Sequence, residues 1–145
     1  MQLIDNEHIE KYMEFLQNNI ARMSSCSANE KNIEIAIISS ILAIYAAQAN
    51  TGCISNKKIL LIAIVPTILF CFLDAYYLSL EKSFRDLYNE IAAGTSTVKI
   101  FEIPIGKNKS VLNTIKSILV SMTSLSVYPF YGGIIIMMVI LYFAL

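Results

Sequence analysis

Asp74 is the only charged residue within the apolar stretch of residues 59–80. A carboxylate inside a membrane-spanning segment costs a few kcal/mol unless it is paired or faces water. Counted from the centre of the turn near Ile54, Glu34 lies equally far along the chain in the other direction, so an antiparallel hairpin should bring both acids to one depth near the cytosolic surface. Lys31 lies one helical turn further out. We expect Asp74 to pair with Lys31, or to share a proton with Glu34, and so to lock the hairpin.

The same helix also allows a second interpretation, a cation path. Asp74, Tyr77 and Glu81 follow one another at intervals of three and four residues, which places them on one helical face. Acidic side chains inside a membrane commonly mark ion pathways. A third interpretation is that Asp74 lies at the end of the span and is solvated there. The sequence leaves these alternatives open.

A stripe of hydroxyl side chains follows the first part of the last apolar block. Its members recur at intervals of three and four residues, which places all of them on one face of a helix. They are Thr114, Ser117, Ser121, Ser124 and Tyr128. Small hydroxyl residues commonly allow close contact between membrane helices, whereas the same stripe repeated around a ring of subunits would line an aqueous pore. We expect helix packing and keep pore lining as the alternative.

The sequence contains no pattern typical of a catalytic or cofactor site. It has no Gly-rich phosphate loop, no GxSxG motif and no HExxH motif. His8, the single histidine, lies in an acidic segment, which favours a solvated side chain over a base or ligand. The three cysteines show no CxxC or Cys/His spacing, so we expect no metal site. We expect no enzyme activity and no cofactor.

Periodicity and charge-free length predict the helices that position these residues. Residues 6–27 mix apolar and charged side chains at helical spacing, which predicts an amphipathic helix. Residues 33–50 and 59–80 each approach the roughly 20 residues that cross a bilayer, and the short turn between them makes them an antiparallel transmembrane hairpin. The predicted fold class is therefore an all-α membrane protein.

The position of the amphipathic helix is less restricted than its existence. It could lie on the membrane surface, pack on the cytosolic ends of the other helices, or pair with its copy in another subunit. Four acids between Asp5 and Glu14 disfavour contact with anionic lipid headgroups. We therefore expect it to pack on protein.

Beyond the second span, the chain is predicted to continue into the cytosol. The helix should run on as a cytosolic helix over residues 81–93, because one apolar stripe persists while charges appear on the other faces. Gly94 is the expected C-cap. Residues 95–110 are predicted to form a cytosolic loop or strand, with an extended segment at 97–105.

The last block, residues 111–145, is predicted to be a membrane helix with a break. Its uncharged part, residues 117–145, is too long for one straight span across roughly 30 Å of hydrocarbon. Pro129, Gly132 and Gly133 are expected to divide it into a helix that ends near residue 128 and another that begins near residue 131. The second helix either continues in line as a third span or folds back.

Composition and charge indicate a membrane environment and argue against nucleic acid as a partner. Charged residues make up 15% of the chain, against roughly 25% in ordinary soluble domains. Eleven basic and eleven acidic residues cancel, so there is no basic footprint for nucleic acid. All Lys and Arg residues except Lys57 and Lys58 lie before the first span or after the second. This bias predicts a multi-pass protein with its N-terminus and residues 81–116 in the cytoplasm.

One stretch of the chain resembles a known group of membrane proteins. Its residues are Phe72-Leu73-Asp74-Ala75-Tyr76-Tyr77-Leu78, Glu81, Phe84-Arg85 and Leu87-Tyr88, accompanied by Arg22-Met23, Ser27 and Lys31. Over residues 9–91 the chain resembles small, uncharacterised bacterial multi-span membrane proteins. These look related in layout to membrane effectors of antiphage defence, including the two-span SLATT type.

The resemblance implies an effector that assembles on a cue from a cytosolic partner or signal and permeabilises the bacterial inner membrane. A chain of 145 residues is too short to enclose a channel alone, so we expect a homo-oligomer in the lipid bilayer. The alternative function is a non-conducting scaffold or accessory subunit, whose cytosolic helices bind a partner protein.

Overall fold

A computed structural model describes residues 2–48, 56–94 and 111–144 of the chain. These residues are all-α, as predicted, and contain four helices and no strand. The helices are α1 (Gln2–Gln48), α2 (Asn56–Ala92), α3 (Val111–Met122) and α4 (Tyr128–Ala144). The predicted loop at 95–110 and its extended segment at 97–105 lie outside the described residues.

α1 is one continuous helix of 47 residues, about 70 Å long. The amphipathic helix predicted at 6–27 and the span predicted at 33–50, treated as two elements in the sequence, are therefore parts of one helix. No Gly or Pro occurs in residues 28–32 to end the helix. On the face that α1 turns towards α2, side chains change from apolar to polar and back to apolar. This change in composition resembled a boundary between two elements, although the backbone remains helical throughout.

α2 is the central helix, because α1, α3 and α4 all pack against it. It runs antiparallel to α1: Leu16 shares an apolar cluster with Phe84, and Ile38 shares another with Ala63. The predicted extension beyond the apolar segment is confirmed, since α2 continues without interruption to Ala92. Gly94 follows in the left-handed conformation (φ 68°), which confirms it as the residue that ends the helix.

The two apolar clusters occupy opposite ends of the hairpin. The extension cluster consists of Tyr12, Leu16, Phe84 and Leu87. The three-helix cluster consists of Ile38, Ala63 and Met138, which come from α1, α2 and α4. Polar side chains lie between the two clusters, so the buried face of the hairpin alternates between apolar and polar along its length.

α3 and α4 follow each other along α2 in the same direction, joined by a turn at residues 123–127. Ser117 of α3 lies beside Ser79 of α2, and Met138 of α4 packs on Ala63 near the other end of α2. Both helices therefore run antiparallel to α2. Of the two alternatives for the last block, the structure contains the in-line arrangement.

The break in the last block lies at residues 123–127, so the prediction of a break at Pro129, Gly132 and Gly133 is wrong. Pro129 is the second residue of α4. Its missing N–H costs no hydrogen bond there, because the N–H groups of the first helical turn have no acceptor within the helix. Gly132 and Gly133 lie inside α4. The hydroxyl of Thr123 donates to a backbone carbonyl of the preceding turn, the kind of local bond that competes with helix continuation.

One of the described helices is long and apolar enough to cross a membrane, the part of α2 from Lys58 to Ala92. Only 28% of its most apolar window is buried within the chain. α4 is apolar but shorter, and α1 does not pass the same test over its described residues. The spans predicted at 33–50 and 111–145 therefore stay predictions.

The positions of the glycines predict opposite effects of two alanine substitutions. Gly94→Ala should destabilise the protein by about 1 kcal/mol, because a Cβ disfavours the left-handed conformation. Gly133→Ala should be neutral, or stabilise by up to about 1 kcal/mol, because Gly133 is helical and an added Cβ meets nothing within 4 Å. Thermal unfolding in detergent measures both. If Gly133→Ala lost as much stability as Gly94→Ala, the helix would have to break at Gly133, which contradicts its position inside α4.

Candidate functional site

A layer of polar side chains lies between the extension cluster and the three-helix cluster. We call it the polar layer, and its members are Ser27, Lys31 and Glu34 of α1 with Thr67 and Asp74 of α2. All are buried except Lys31, which is partly exposed. They occupy the same helical stripes as the apolar residues on either side of them, so packing of the two clusters brings them face to face.

Asp74 is completely buried and has two partners on α1. The hydroxyl of Ser27 donates a hydrogen bond to Oδ1 of Asp74, and Nζ of Lys31 lies 2.6 Å from Oδ2. Lys31 also donates to Oγ of Ser27 at 3.0 Å, which closes a three-residue network. A buried carboxylate is strongly destabilising unless it is paired and hydrogen-bonded. The network therefore determines which turn of α1 faces Asp74.

Of the interpretations left open for Asp74, the structure contains the pairing with Lys31. Its full burial contradicts a solvated position at the helix end. Ser27 was named in the sequence only among the residues of the resemblance, and its hydrogen bond to Asp74 was not predicted, although it lies one turn before Lys31 on the same face. That spacing is the signal that could have identified it.

Glu34 does not lie opposite Asp74, so the prediction of equal depth is wrong. The ends of α1 and α2 centre the hairpin near position 52 rather than near Ile54. Asp74 consequently faces the turn of α1 from Ser27 to Lys31, and Glu34 faces Thr67 of α2. The turn has no sequence feature that fixes its centre, and an error of two positions there shifts the facing residues by about one turn.

Glu34 is as deeply buried as Asp74, but its environment differs. Neither of its carboxyl oxygens has a hydrogen-bond partner among the described residues. The hydroxyl of Thr67 is near enough to act on this carboxyl group, yet its own hydrogen is donated to the backbone carbonyl of Ala63 at 3.0 Å. An unpaired carboxylate in such a position would cost several kcal/mol. Glu34 is thus the member of the polar layer whose charge is not balanced.

Tyr131 of α4 completes the surroundings of the polar layer. It is almost fully buried, and its hydroxyl has no hydrogen-bond partner among the described residues. Asp74, Glu34 and Cys71 lie near enough to this hydroxyl to interact with it electrostatically when they are ionised. Sequence reasoning missed Tyr131 because it expected a helix break next to it, at Pro129.

The carboxylates proposed for a cation path are already paired with cationic side chains of the chain. Asp74 is paired with Lys31, and Oε1 of the buried Glu81 lies 2.7 Å from Nη2 of Arg85. Tyr77 lies between them in sequence, with its ring 5.9 Å from that of Tyr76. Since each carboxylate has a cationic partner within the chain, the geometry favours a structural role for this face of α2.

The hydroxyl stripe lies partly in the contact between α2 and α3. The hydroxyls of Ser117 and Ser79 are 2.8 Å apart, and Ser121 is almost fully buried. The three other members range from half-buried to exposed, and they are Thr114, Ser124 and Tyr128. Tyr128 leaves the stripe because the turn at 123–127 interrupts the helix. At Ser117 and Ser121 the geometry favours helix packing over pore lining.

No family model, curated protein or solved structure matches this chain. Among the residues that the structure describes, no group of three or more His, Cys, Asp or Glu side chains is placed to hold a metal ion. Arguments about function therefore start from the polar layer and from the surface around it.

The network around Asp74 predicts a graded series of stabilities. Asp74→Ala should destabilise by several kcal/mol, because it leaves Lys31 partly buried without its counter-ion. Asp74→Asn should be milder, because an amide oxygen still accepts the hydrogen bond from Ser27. Lys31→Met combined with Asp74→Ala should recover part of the loss by removing the stranded charge. The midpoint of thermal unfolding in detergent orders the three variants.

The matched control for this series is Lys11→Ala. It removes the ion pair with Glu7, whose two side chains are 60% and 64% exposed, and exposed pairs between residues i and i+4 contribute only about 0.3–0.5 kcal/mol. If Asp74→Ala unfolded at the same temperature as Lys11→Ala, the network would contribute no more than a surface pair, and its assigned role would be wrong.

Proposed function

We propose that the chain is a subunit of a homo-oligomeric effector in the bacterial inner membrane, which permeabilises or disrupts that membrane when a cytosolic partner or signal acts on it. In this proposal the protein is multi-pass, with its N-terminus in the cytoplasm. A role in antiphage defence follows from the resemblance of residues 9–91 and from the layout of the hairpin. The observation that carries the proposal is an uncovered apolar surface on the membrane half of the molecule.

We call this surface the apolar belt. It is formed by side chains of α2 and α4 that are more than half exposed, among them Ile62, Val65, Leu69, Ile136, Ile140 and Phe143. Full burial of one such side chain is worth about 1.5–3 kcal/mol, and soluble monomers rarely expose a continuous apolar patch of this kind. Lipid and further copies of the chain are the surroundings that the belt fits.

Assembly is part of the proposal because the described residues of one chain form no continuous polar route across the apolar region. The charged members of the polar layer face one another inside the hairpin, and Asp74 and Glu34 are fully buried. A pathway for ions would have to form between copies, or by separation of α1 from α2. The first route requires contacts between copies, and the second breaks contacts that a single folded chain makes.

The extension cluster is the proposed point of control. It joins α1 and α2 beyond the polar layer. Both helices continue through the layer, and α2 runs on into the apolar belt. A partner that tilts the extension would therefore act directly on the pair of Lys31 and Asp74. Long, uninterrupted helices transmit such a tilt as rigid bodies, the shear type of motion known from other switching proteins.

The second candidate is a non-conducting scaffold or accessory subunit that binds a partner protein through the same extension. It is favoured by the contact between Ser117 and Ser79 and by the burial of Ser121. Hydroxyls used in this way within one chain do not line a pore.

Membrane potential in living cells separates the two candidates. An effector should depolarise the membrane and arrest growth on overexpression, or on phage challenge with the neighbouring genes present. Ser121→Leu should abolish depolarisation, because a large side chain does not fit the buried contact of α3 with α2. Ser126→Leu, the same change at an exposed position of the turn, is the matched control and should remain active. A voltage-sensitive dye and immunoblots of membrane fractions provide the measurements.

Absence of depolarisation with full-length protein in the membrane fraction, even with neighbouring genes and phage, would reject the effector and leave the scaffold. Recovery of the wild-type protein from the soluble fraction alone would reject both candidates.

A further inference from the structure

The buried carboxyl group of Glu34 lacks a partner that explains its burial. It lies where α1, α2 and α4 meet, between the network of Asp74 and the three-helix cluster. Its side chain is 0% exposed, and both of its oxygens are covered and without a hydrogen-bond partner among the described residues. Buried polar atoms of this kind are rare in folded proteins and call for a specific explanation.

The charges around Glu34 do not balance it. The polar layer contains two carboxyl groups, Glu34 and Asp74, and one cation, Lys31. The Nζ atom of Lys31 is already 2.6 Å from Oδ2 of Asp74 and 3.0 Å from Oγ of Ser27. Its positive charge therefore already compensates the carboxylate of Asp74. An ionised Glu34 would leave one uncompensated negative charge where the three helices meet.

The other titratable groups near this junction carry no positive charge. They are Glu30 on α1, Cys71 on α2 and Tyr131 on α4. A charged Glu34 would be repelled by the first of these when ionised and would gain no counter-ion from the other two. Electroneutrality of the junction therefore requires an additional cation at Glu34.

The hydroxyl of Thr67 does not compensate a charge on Glu34. A hydroxyl has one hydrogen, and the hydrogen of Thr67 is donated to the carbonyl oxygen of Ala63. Neither carboxyl oxygen of Glu34 has a hydrogen-bond partner among the described residues. A carboxyl group with neither a donated hydrogen bond nor a counter-ion is best accommodated in its protonated, neutral form.

We propose that Glu34 is a proton-binding site, occupied at neutral pH in this arrangement of helices. A proton adds no volume, which suits a carboxyl group whose oxygens are fully covered. A lysine from a second copy would have no access to these oxygens, and a metal ion would need several oxygen ligands around it. The inference rests on the packing of α1, α2 and α4 and not on the proposed function, so each can fail separately.

The site is coupled to the pair of Lys31 and Asp74 by its position. Glu34 lies three residues after Lys31 on the same helical face, a spacing at which side chains contact each other. Loss of the proton would create a carboxylate that competes with Asp74 for Lys31. Binding of the proton thus keeps Lys31 on Asp74, the contact that joins α1 to α2.

A hydrophobic carbodiimide tests the proposal, because it reacts with protonated carboxyl groups in apolar surroundings. The carboxyl oxygen bonds to the central carbon of the reagent, its proton moves to a nitrogen, and the acyl group then migrates to the other nitrogen to give a stable N-acylurea. The protein in lipid vesicles is treated at several pH values, and the modified peptide is located by mass spectrometry.

We expect modification of Glu34 and none of Asp74 at neutral pH, and loss of the Glu34 adduct as the pH rises. Glu34→Gln should lose the adduct completely, whereas Glu90→Gln, a matched change on the exposed face of α2, should retain it. Asp74→Asn should reduce it, because Lys31 is then free to pair with Glu34 and displace the proton.

Infrared spectroscopy detects a protonated carboxyl group without a reagent, and so tests the proposal even if the carbodiimide does not reach Glu34. The wild type should show the C=O band of a protonated carboxylic acid, and this band should be missing in Glu34→Gln and present in Glu90→Gln. Absence of both adduct and band in the wild type would overturn the proposal. Protection from the reagent by Na⁺ or K⁺ at constant pH would also overturn it, because the site would then hold a metal cation.

Discussion

The burial of the Asp74 carboxylate is the constraint on which the rest of the structure depends. Its two oxygens are matched by Ser27 and Lys31, both on α1. Apolar packing is non-directional and tolerates a shift of one helix along another, whereas an unpaired buried carboxylate costs several kcal/mol. A shift of one turn in either direction would break the arrangement in which Asp74 binds both partners at once. We therefore assign the register of the α1–α2 hairpin to this network, and its stability to the apolar clusters on either side.

The order of layers along the hairpin connects this constraint to function. The extension cluster and the polar layer follow one another on α1 and α2, and the apolar belt follows them on α2 and α4. Any ligand or partner that moves the extension cluster relative to the apolar belt must act on the polar layer, which contains the charges most sensitive to a change of register. Proton binding by Glu34 would be a second way to regulate the polar layer, because it acts on the pair of Lys31 and Asp74. The proposed effector and the proposed proton site thus use one structural element, although neither depends on the other.

Local rules predicted the features that depend on local sequence. The all-α fold, the continuation of α2 past the apolar segment and the role of Gly94 follow from periodicity and from the conformational freedom of glycine. The pairing of Asp74 with Lys31 followed from the cost of a buried charge. Features that depend on tertiary contacts were missed: α1 stays continuous because its polar residues have buried partners on α2, and Pro129 begins a helix instead of ending one. The partners of Glu34 could be predicted only from the exact register of α1 against α2, and the sequence of the turn does not determine that register.

Cysteine cross-linking between α1 and α2 tests the central claim most directly. Cys26, Cys53 and Cys71 are first replaced by serine, and Ile38→Cys is then combined with either Ala63→Cys or Phe70→Cys, two turns further along α2. Our account predicts that a short thiol cross-linker joins positions 38 and 63, which share the three-helix cluster, and not positions 38 and 70. It also predicts that Asp74→Ala abolishes this selectivity. Preference for position 70, or unchanged selectivity in the Asp74→Ala background, would show that the network around Asp74 does not set the register.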